Sequence, residues 1–418
     1  MSGAKKGSEV SSMDLTATSL SIRTVASVAD LDRAAWDGLD HGASPFLKTG
    51  FLHALEVSGS VSVRPPKQSL AAVARSGSIS GWTPIYVLAE QGGIVVGAVA
   101  AYLKDHSYGE YIFDWAWANA SERAGLRYYP KIVVAAPATP ASGQRILLAP
   151  QLTAEQKRSV ALALIAAVRE LATEIGASSV HWLFCTAAEQ ALLAHAEHWP
   201  RASFQFHWRN DNYQSYEDFA ARLKSRKRKS LRKERERAQA TAQGFAWVRG
   251  GDLTTSDLDA LDRFYRNTTD NHGGRDYLRA GFFQACAAGL PDEMWMLQVQ
   301  GTHGLMAGAL FFEGAGALYG RYWGADEAPD FLHFETAYYQ GIDRAIARGL
   351  PLFEAGAQGE HKLLRGFLPS PTYSAHWLAH PALNEAIAAH CAREAVGVAT
   401  QMAELAQYAP YRVGDDEG

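Results

Sequence analysis

The chain contains 418 residues, of which 47% are apolar and 20% are charged, and its formal net charge is −4. This length and apolar content fit a globular protein of two or three domains. The near-neutral charge excludes a bulk attraction to nucleic acid, because the strongly basic part is confined to residues 222–237, with ten Lys/Arg and two Glu.

Features of the whole chain predict a cytoplasmic protein. Cys185, Cys286 and Cys391 are too few and too scattered for a disulfide framework, and they lack metal-ligand spacing, so we expect reduced thiols and no metal site. Residues 1–19 lack the apolar core of a secretory signal and are predicted to form a disordered leader. No segment reaches the roughly 18 apolar residues that a membrane span needs.

Hydrophobic patterning predicts the same order of elements twice along the chain. The first series has strands at 85–90, 94–103 and 110–115, a helix at 153–175, a strand at 178–185, a helix at 187–198 and a strand at 204–208. The second has strands at 294–300, 305–313 and 317–323, a helix at 332–348, and strands at 351–353 and 373–377. Strands alternating with helices predict an α/β fold with mixed sheets flanked by helices. We therefore predict similar domains at 20–210 and 211–395, followed by a C-terminal helix or tail at 396–418.

The basic residues lie on a helix that is predicted at 216–243, within the second domain. Ser215 to Asp218 fit a capping box, and Gly244 can end the helix. Three interpretations of the charge remain open: a solvated surface, a nucleic-acid-binding helix, and a phosphate clamp that adds cations to the N–H groups of the helix start. The residues of such a clamp are Arg226, Arg228, Lys229 and Arg232.

A glycine-containing loop follows the predicted strand at 351–353. Glycines at 356 and 359 permit tight turns and the close approach of a ligand. A strand that ends in a polar loop of this kind is typical of binding sites in α/β folds, although a charged surface turn is the alternative. The polar and charged side chains of the loop are Gln358, Glu360, His361, Lys362 and Arg365.

Seven short segments carry the pattern of a known family. They lie at 109–115, 128–131, 137–140, 225–232, 318–324, 332–335 and 356–362. In this order, over roughly residues 40–395, they resemble the FemAB-like family of peptidoglycan biosynthesis or recognition proteins in the GNAT superfamily. The resemblance implies tandem GNAT-like domains that transfer an acyl or aminoacyl group to an amine. The implied donor is aminoacyl-tRNA or acyl-CoA, with no tightly bound cofactor. The implied acceptor is a small-molecule amine, such as a cell-wall precursor. If the basic helix is a phosphate clamp, the acceptor or the donor is also phosphorylated or nucleotide-linked.

One segment departs from the pattern of GNAT enzymes that use CoA. Those enzymes carry Arg/Gln-x-x-Gly-x-Gly/Ala after the fourth core strand, where it wraps a pyrophosphate. Here the corresponding stretch, 321–326, ends in Asp326, whose charge repels phosphate. The departure favours an atypical donor. It also leaves open a non-catalytic protein that binds a ligand or RNA on the same fold.

The resemblance assigns Lys362 to stabilisation of the oxyanion or of the donor carbonyl. Glu335 and Glu360 are the candidate bases, and His361 and His333 are further candidates for that role.

Other side chains are candidates for binding the substrate. Arg321 and Arg365 can hold a phosphate or carboxylate, and Gln358 lies in the same loop. Asp114 can orient the acceptor amine, or it can be a buried hydrogen-bonded partner of Tyr128 or Lys131. These roles require Lys362 to face the same cleft as Arg228 and Arg232.

Overall fold

The computed structural model describes residues 19–271, 276–357 and 359–412. Two predictions fall on other residues. The leader at 1–19, apart from Ser19, lies outside the described residues, and so does Gln358.

The described strands form one continuous sheet of thirteen strands. They are β1 Leu20–Val25, β2 Trp82–Gln91, β3 Ile94–Lys104, β4 Lys131–Val134, β5 Leu147–Leu148, β6 Ser179–Cys185, β7 Trp199–Arg209, β8 Gly244–Arg249, β9 Met294–Gly301, β10 Gly304–Gly314, β11 Ala317–Ala325, β12 Leu352–Glu354 and β13 Leu368–Leu378. Their spatial order is β1-β2-β3-β4-β6-β13-β7-β12-β11-β10-β9-β8, and β5 pairs with β3. The pairs β4–β6 and β11–β12 are parallel, whereas the other pairs are antiparallel.

Helices cover the sheet. They are α1 Arg33–Asp37, α2 Thr49–Val57, α3 Leu70–Ser76, α4 Trp115–Arg123, α5 Ala154–Glu174, α6 Ala187–His195, α7 Tyr216–Ala221, α8 Ser225–Gln239, α9 Thr255–Asn271, α10 Phe282–Gly289, α11 Leu332–Phe334, α12 Gln340–Ala347 and α13 Pro381–Gln407. A wider π-helical turn at Glu335–Tyr339 joins α11 to α12. No helix within the described ranges has an apolar run long enough to cross a membrane.

The predicted fold class, α/β with tandem units of mixed sheet flanked by helices, is confirmed. Both units repeat antiparallel hairpins, a parallel pair and a final long strand. The units share one sheet because their final strands are exchanged. β13, from the second unit, lies between β6 and β7, and β7 in turn pairs with β12. Because of this exchange, β6 and β12 each have a partner strand on the side where their own unit would otherwise end in an open sheet edge.

Several predicted elements differ from the observed ones. The segment 110–115 is not a strand, and the first unit instead uses β4, a short apolar strand. The predicted basic helix at 216–243 is two helices, α7 and α8, with Leu223 between them. The final helix, α13, crosses the predicted limit at 395, whereas the proposed domain boundary at 210 falls between β7 and α7.

Candidate functional site

The two parallel strands of the second unit separate and open a cavity. β11 and β12 pair only from Ala317 to Tyr319, and β11 then continues for six residues beyond the last pair. A cavity of about 420 Å³, here called the main cavity, lies at this separation, between Gly320–Trp323 on one side and Ala355 on the other. The carboxyl ends of parallel strands are the usual position of ligands in α/β sheets.

A β-bulge directs Arg321 at this position. Leu310 pairs with Tyr322 and Phe311 with Gly320, so that Arg321 has no partner on β10. Bulges re-aim side chains and are frequent beside active sites. The Arg321 Nη2 donates to the Ala138 carbonyl at 2.9 Å, but its Nε is buried without a hydrogen-bond partner. The unpaired N–H makes Arg321 a candidate to hold an anion or a carbonyl oxygen.

The rest of the main cavity is mostly aromatic. None of its described lining residues is Asp or Glu, and Arg321 supplies a positive charge. A ligand here therefore meets ring faces, hydroxyl groups and one guanidinium. The lining aromatic and imidazole rings are Tyr111, Tyr265, Tyr277, Phe311, Tyr322, Trp323, His333 and Tyr338.

Lys362 is buried next to the main cavity. It lies in a 3-10 turn, Glu360–Arg365, that begins after Gly359 and ends at Gly366, and both glycines have positive φ (111° and 90°). Its Nζ donates to the Gly356 carbonyl at 2.6 Å, immediately after the lining residue Ala355. Burial and, secondly, the charge of Arg321 lower the pKa of Lys362 to about 7. The lysine can therefore exist as either an ammonium or a neutral amine near neutrality.

The other predicted residues of the loop are placed differently. Arg365 forms an ion pair with Glu234 of α8 at 2.7 Å, and its guanidinium stacks 3.4 Å from the Phe334 ring centre. It therefore joins the loop to the basic helix. His361 shares a hydrogen bond of 2.9 Å with the Tyr338 hydroxyl, whereas Glu360 is exposed.

Glu335 is fully buried and is held by several donors. Arg235 donates to it at 3.0 and 3.1 Å, and Gln239 and Gln340 each donate at 2.9 Å. A carboxylate with this many donors has its charge satisfied by the protein. Glu335 does not line the main cavity, so its contacts fit the packing of α8 against the π-helical turn better than proton transfer.

Two of the four clamp candidates line a second cavity. Arg228 and Arg232 face a space of about 320 Å³, here called the arginine cavity, together with Arg235 and Asp343. Arg226 and Lys229 are exposed and do not line it. The main cavity and the arginine cavity share no described lining residue, and the single cleft that would hold Lys362, Arg228 and Arg232 remains a prediction. The Glu234–Arg365 pair connects α8 to the Lys362 loop.

Asp114 belongs to a buried charged cluster in the first unit. Its carboxylate accepts hydrogen bonds from Lys131 and from the Tyr128 hydroxyl, and Lys131 also donates to Glu110 at 2.7 Å. Burial opposes ionisation of Asp114, but the Lys131 ammonium holds the pKa of that carboxyl well below its usual range. Of the two roles predicted for Asp114, these contacts match the buried partner of Tyr128 and Lys131.

Sequence reasoning missed two residues of this region. Tyr111 belongs to the first unit but lines the main cavity of the second. Glu354 ends β12 and is 4% exposed, and burial raises its pKa to about 7. A carboxylate at the end of a short apolar strand is a signal that could have identified Glu354. Tyr111 lies in the segment 109–115, which carries part of the family pattern but assigns no role to this residue. No group of three or more His, Cys, Asp or Glu in the described parts of the chain could hold a metal ion.

A comparison with family models confirms the resemblance that the sequence pattern indicated. The FemAB-like family model, described as peptidoglycan biosynthesis/recognition, matches residues 27–413. A search of curated proteins gave no significant match.

Solved structures with some likeness include FemX, with 10% identity, a TM-score of 0.48, and coverage of 88% of this chain and 100% of that chain. A tandem GNAT protein from the clavulanic acid biosynthesis pathway has 13% identity, a TM-score of 0.38, and coverage of 87% and 99%. L-PGS from Bacillus licheniformis has 11% identity, a TM-score of 0.42, and coverage of 75% and 87%.

Proposed function

We propose, because the chain belongs to the FemAB-like family, that it forms an amide by transferring an acyl or aminoacyl group to an amine. The observation that supports this most is the buried Lys362, whose pKa is lowered to about 7 beside the separation of β11 and β12. The donor is aminoacyl-tRNA or acyl-CoA, with no tightly bound cofactor. The acceptor is the amine of a small molecule, such as a cell-wall precursor.

The reaction joins the amine nitrogen to the carbonyl carbon of the donor. The new C–N bond replaces the C–O or C–S bond to the leaving group, which departs with a proton that the amine has lost. Lys362 in its ammonium form has three N–H groups, and Gly356 accepts one of them. Another N–H is available to the carbonyl oxygen, where negative charge develops in the transition state.

The main cavity favours a neutral, nucleophilic amine. Arg321 and Lys362 disfavour a second cation nearby, and the aromatic walls disfavour any charge that is not paired. Both effects lower the pKa of a bound amine, so a weak base suffices. We assign proton removal to His333, whose ring lines the cavity, rather than to the exposed Glu360 or the ion-paired Glu335.

The arginine cavity supplies the phosphate-binding part of the proposal. Arg228 donates to the Ala221 carbonyl at 3.5 Å, a long bond, and Arg232 is exposed, so both guanidinium groups can turn towards an anion. This cavity shares no described lining residue with the main cavity. We therefore infer that the phosphate belongs to a part of the donor or acceptor remote from the new amide, as in a nucleotide-linked precursor.

One observation favours a second candidate, a protein that binds a ligand without turnover. The stretch corresponding to the CoA phosphate loop remains strand as far as Ala325, and both Asp326 oxygens accept from Arg263 at 2.9 and 3.0 Å. An acidic strand end of this kind does not wrap a pyrophosphate. The acidic residue at this position therefore weakens the case for acyl-CoA as the donor, and aminoacyl-tRNA remains open.

Product analysis tests the proposal. The purified protein is incubated with charged tRNA minihelices or acyl-CoAs, together with UDP-linked muropeptides, and new amides are identified by mass spectrometry. Replacing Arg228 and Arg232 with Ala is expected to raise the KM of the phosphorylated substrate roughly tenfold for each arginine, with kcat retained. Arg158→Ala, at an exposed position on α5, is the control. Ligand-induced stabilisation without any product from either donor class would favour the binding protein.

A further inference from the structure

A small cavity at the junction of the two units lies beside the proposed site. It has a volume of about 130 Å³ and is bounded by the end of β6, by the middle of β7 and by β13. This junction cavity opens to solvent, because Phe113 and Ser203 in its wall are exposed. It therefore offers an approach to the centre of the molecule that is separate from the main cavity.

The junction cavity and the main cavity meet at one partition. Tyr111 lines both cavities. On the opposite side, Ala355 faces the main cavity and Ala357 faces the junction cavity, so the peptide of Gly356 lies between them. Lys362 Nζ donates to the carbonyl of that glycine. Lys362 is not among the described lining residues of either cavity, but it holds the Gly356 peptide that lies between them.

The segment that carries Tyr111 is held in an unusual backbone conformation. Tyr111 and Phe113 have φ values of 61° and 52°, in the left-handed region that disfavours side chains of this size. Arg201 holds the segment, since its Nη1 donates to the Ile112 carbonyl at 2.8 Å. Strained backbone that persists near a cavity is a pointer to function. Here it aims Tyr111 at the partition.

The chemistry of the junction cavity selects a neutral group. Its charged residue, Arg201, is already paired with Glu394 at 2.6 and 2.9 Å. The remaining walls combine apolar surface, such as Phe184, with the hydroxyl of Thr372. A volume of about 130 Å³ equals roughly four water molecules, each taking about 30 Å³ in the liquid. The cavity thus fits the side chain of a small neutral amino acid or a short acyl chain.

We infer that the junction cavity is the subsite for the transferred group, and that Tyr111 separates it from the amine in the main cavity. This inference rests on the proposed transferase function. The acyl or aminoacyl side chain lies in the junction cavity, and its carbonyl lies at the partition, beside the Gly356 peptide that Lys362 holds. The arrangement limits the transferred group by size and charge, whatever carrier delivers it.

Cysteine labelling tests the subsite without requiring turnover. Ser203→Cys introduces an exposed thiol into the cavity wall, whereas the three native cysteines are buried. Labelling by methyl methanethiosulfonate is followed by mass spectrometry, with N-acetyl-L-alaninamide or N-acetyl-L-threoninamide as the probe. At twice its Kd a probe leaves one-third of the sites open, so labelling should slow about threefold. Ser230→Cys, on the exposed face of α8, is the matched control and should label at an unchanged rate.

A larger probe and a negatively charged probe complete the test. N-acetyl-L-tryptophanamide and the carboxylate probe N-acetyl-L-aspartate should not protect the introduced thiol of the Ser203→Cys protein. Adding Tyr111→Ala, which joins the two cavities, should allow the tryptophan probe to protect that thiol. No protection by either small neutral probe, or equal protection of the Ser230→Cys control, would overturn the inference. If the small neutral probes protect the introduced thiol but the protein forms no amide, the inference of a subsite stands and the proposed transferase function is wrong.

Discussion

Replacing Lys362 with methionine tests whether a desolvated cation is the chemical centre of this protein. Methionine keeps the length of the side chain and removes the ammonium. Lys362 is 1% exposed, and burial, followed by repulsion from Arg321, lowers its pKa from 10.5 to about 7. This decrease of about 3.5 in the pKa of Lys362 makes its charged form roughly 5 kcal/mol less stable in the folded protein than in water.

The pH dependence of this penalty has a definite sign. The unfolded chain keeps the Lys362 proton up to about pH 10.5, whereas the folded protein releases it near pH 7. The penalty is therefore fully present below pH 7 and disappears as the pH rises towards 10.5. Lys362→Met removes the penalty but also the hydrogen bond to Gly356, which contributes roughly 1.5–3 kcal/mol. The variant should be about 2 kcal/mol more stable than the wild type near pH 6, and should lose this advantage near pH 10.

Urea unfolding followed by tryptophan fluorescence measures the stability, and amide formation measures the activity. The kcat of Lys362→Met should be about 10²- to 10³-fold lower than that of the wild type, because the ammonium that donates to the oxyanion is missing. Lys67→Met, at an exposed position, is the control and should change neither quantity. The reasoning is refuted if Lys362→Met is less stable than the wild type by the same amount at both pH values. In that case Lys362 is a structural hydrogen-bond donor.

Three further variants distinguish structural from chemical roles. Glu335→Ala leaves Arg235 with Asp343 as its remaining carboxylate, at 2.6 Å, and removes the acceptor that Gln239 and Gln340 share, so the free energy of unfolding should fall by about 1–3 kcal/mol. A stable but inactive variant would instead restore Glu335 as the base. Gly324→Ala drives a Cβ into the backbone carbonyl of Phe264 and should displace α9. The free energy of unfolding, measured in urea, should fall by about 1–3 kcal/mol or more. A variant as stable as the wild type would contradict this close packing. Burial and nearby Lys131 lower the pKa of His181 to about 3, so the wild type should lose stability as the pH falls from about 6.5 to about 3. Replacing both His181 and His376 with Phe should make this pH dependence shallower, and an unchanged slope would show that other groups cause it.

Local sequence signals predicted much of the second unit and its loop. The hairpin of β9 and β10, the strand β12 and the glycine-containing loop after it depend on patterns that a few consecutive residues carry, such as apolar runs and glycines. Positive φ at Gly359 and Gly366 explains why the loop needs glycine there. These features could be read from the chain because neighbouring residues determine them.

The features that sequence reasoning missed depend on distant contacts. The segment 110–115 has the aromatic and branched residues of a strand, but Glu110 and Asp114 instead turn towards Lys131. Glu335 has the position of a candidate base, but its partner Arg235 lies 100 residues away in the chain. The exchange of β7 and β13 likewise depends on pairing between strands far apart in sequence. In each case a long-range contact decided the structure against the local pattern.

Lys131 and Lys362 illustrate two ways in which this protein buries a lysine, and Lys104 of the first unit resembles Lys362, because burial lowers the pKa of Lys104 to about 7 as well. In the first unit, burial disfavours the charge on Lys131, but Glu110 and Asp114 outweigh burial and raise its pKa. That lysine is fully charged at neutral pH and its N–H groups are bonded to Ser107 and both carboxylates. In the second unit, Lys362 has a carbonyl partner and a neighbouring arginine, and its pKa falls. A buried cation without a paired carboxylate costs stability, and a cost of that kind is expected where function, rather than folding, maintains the residue.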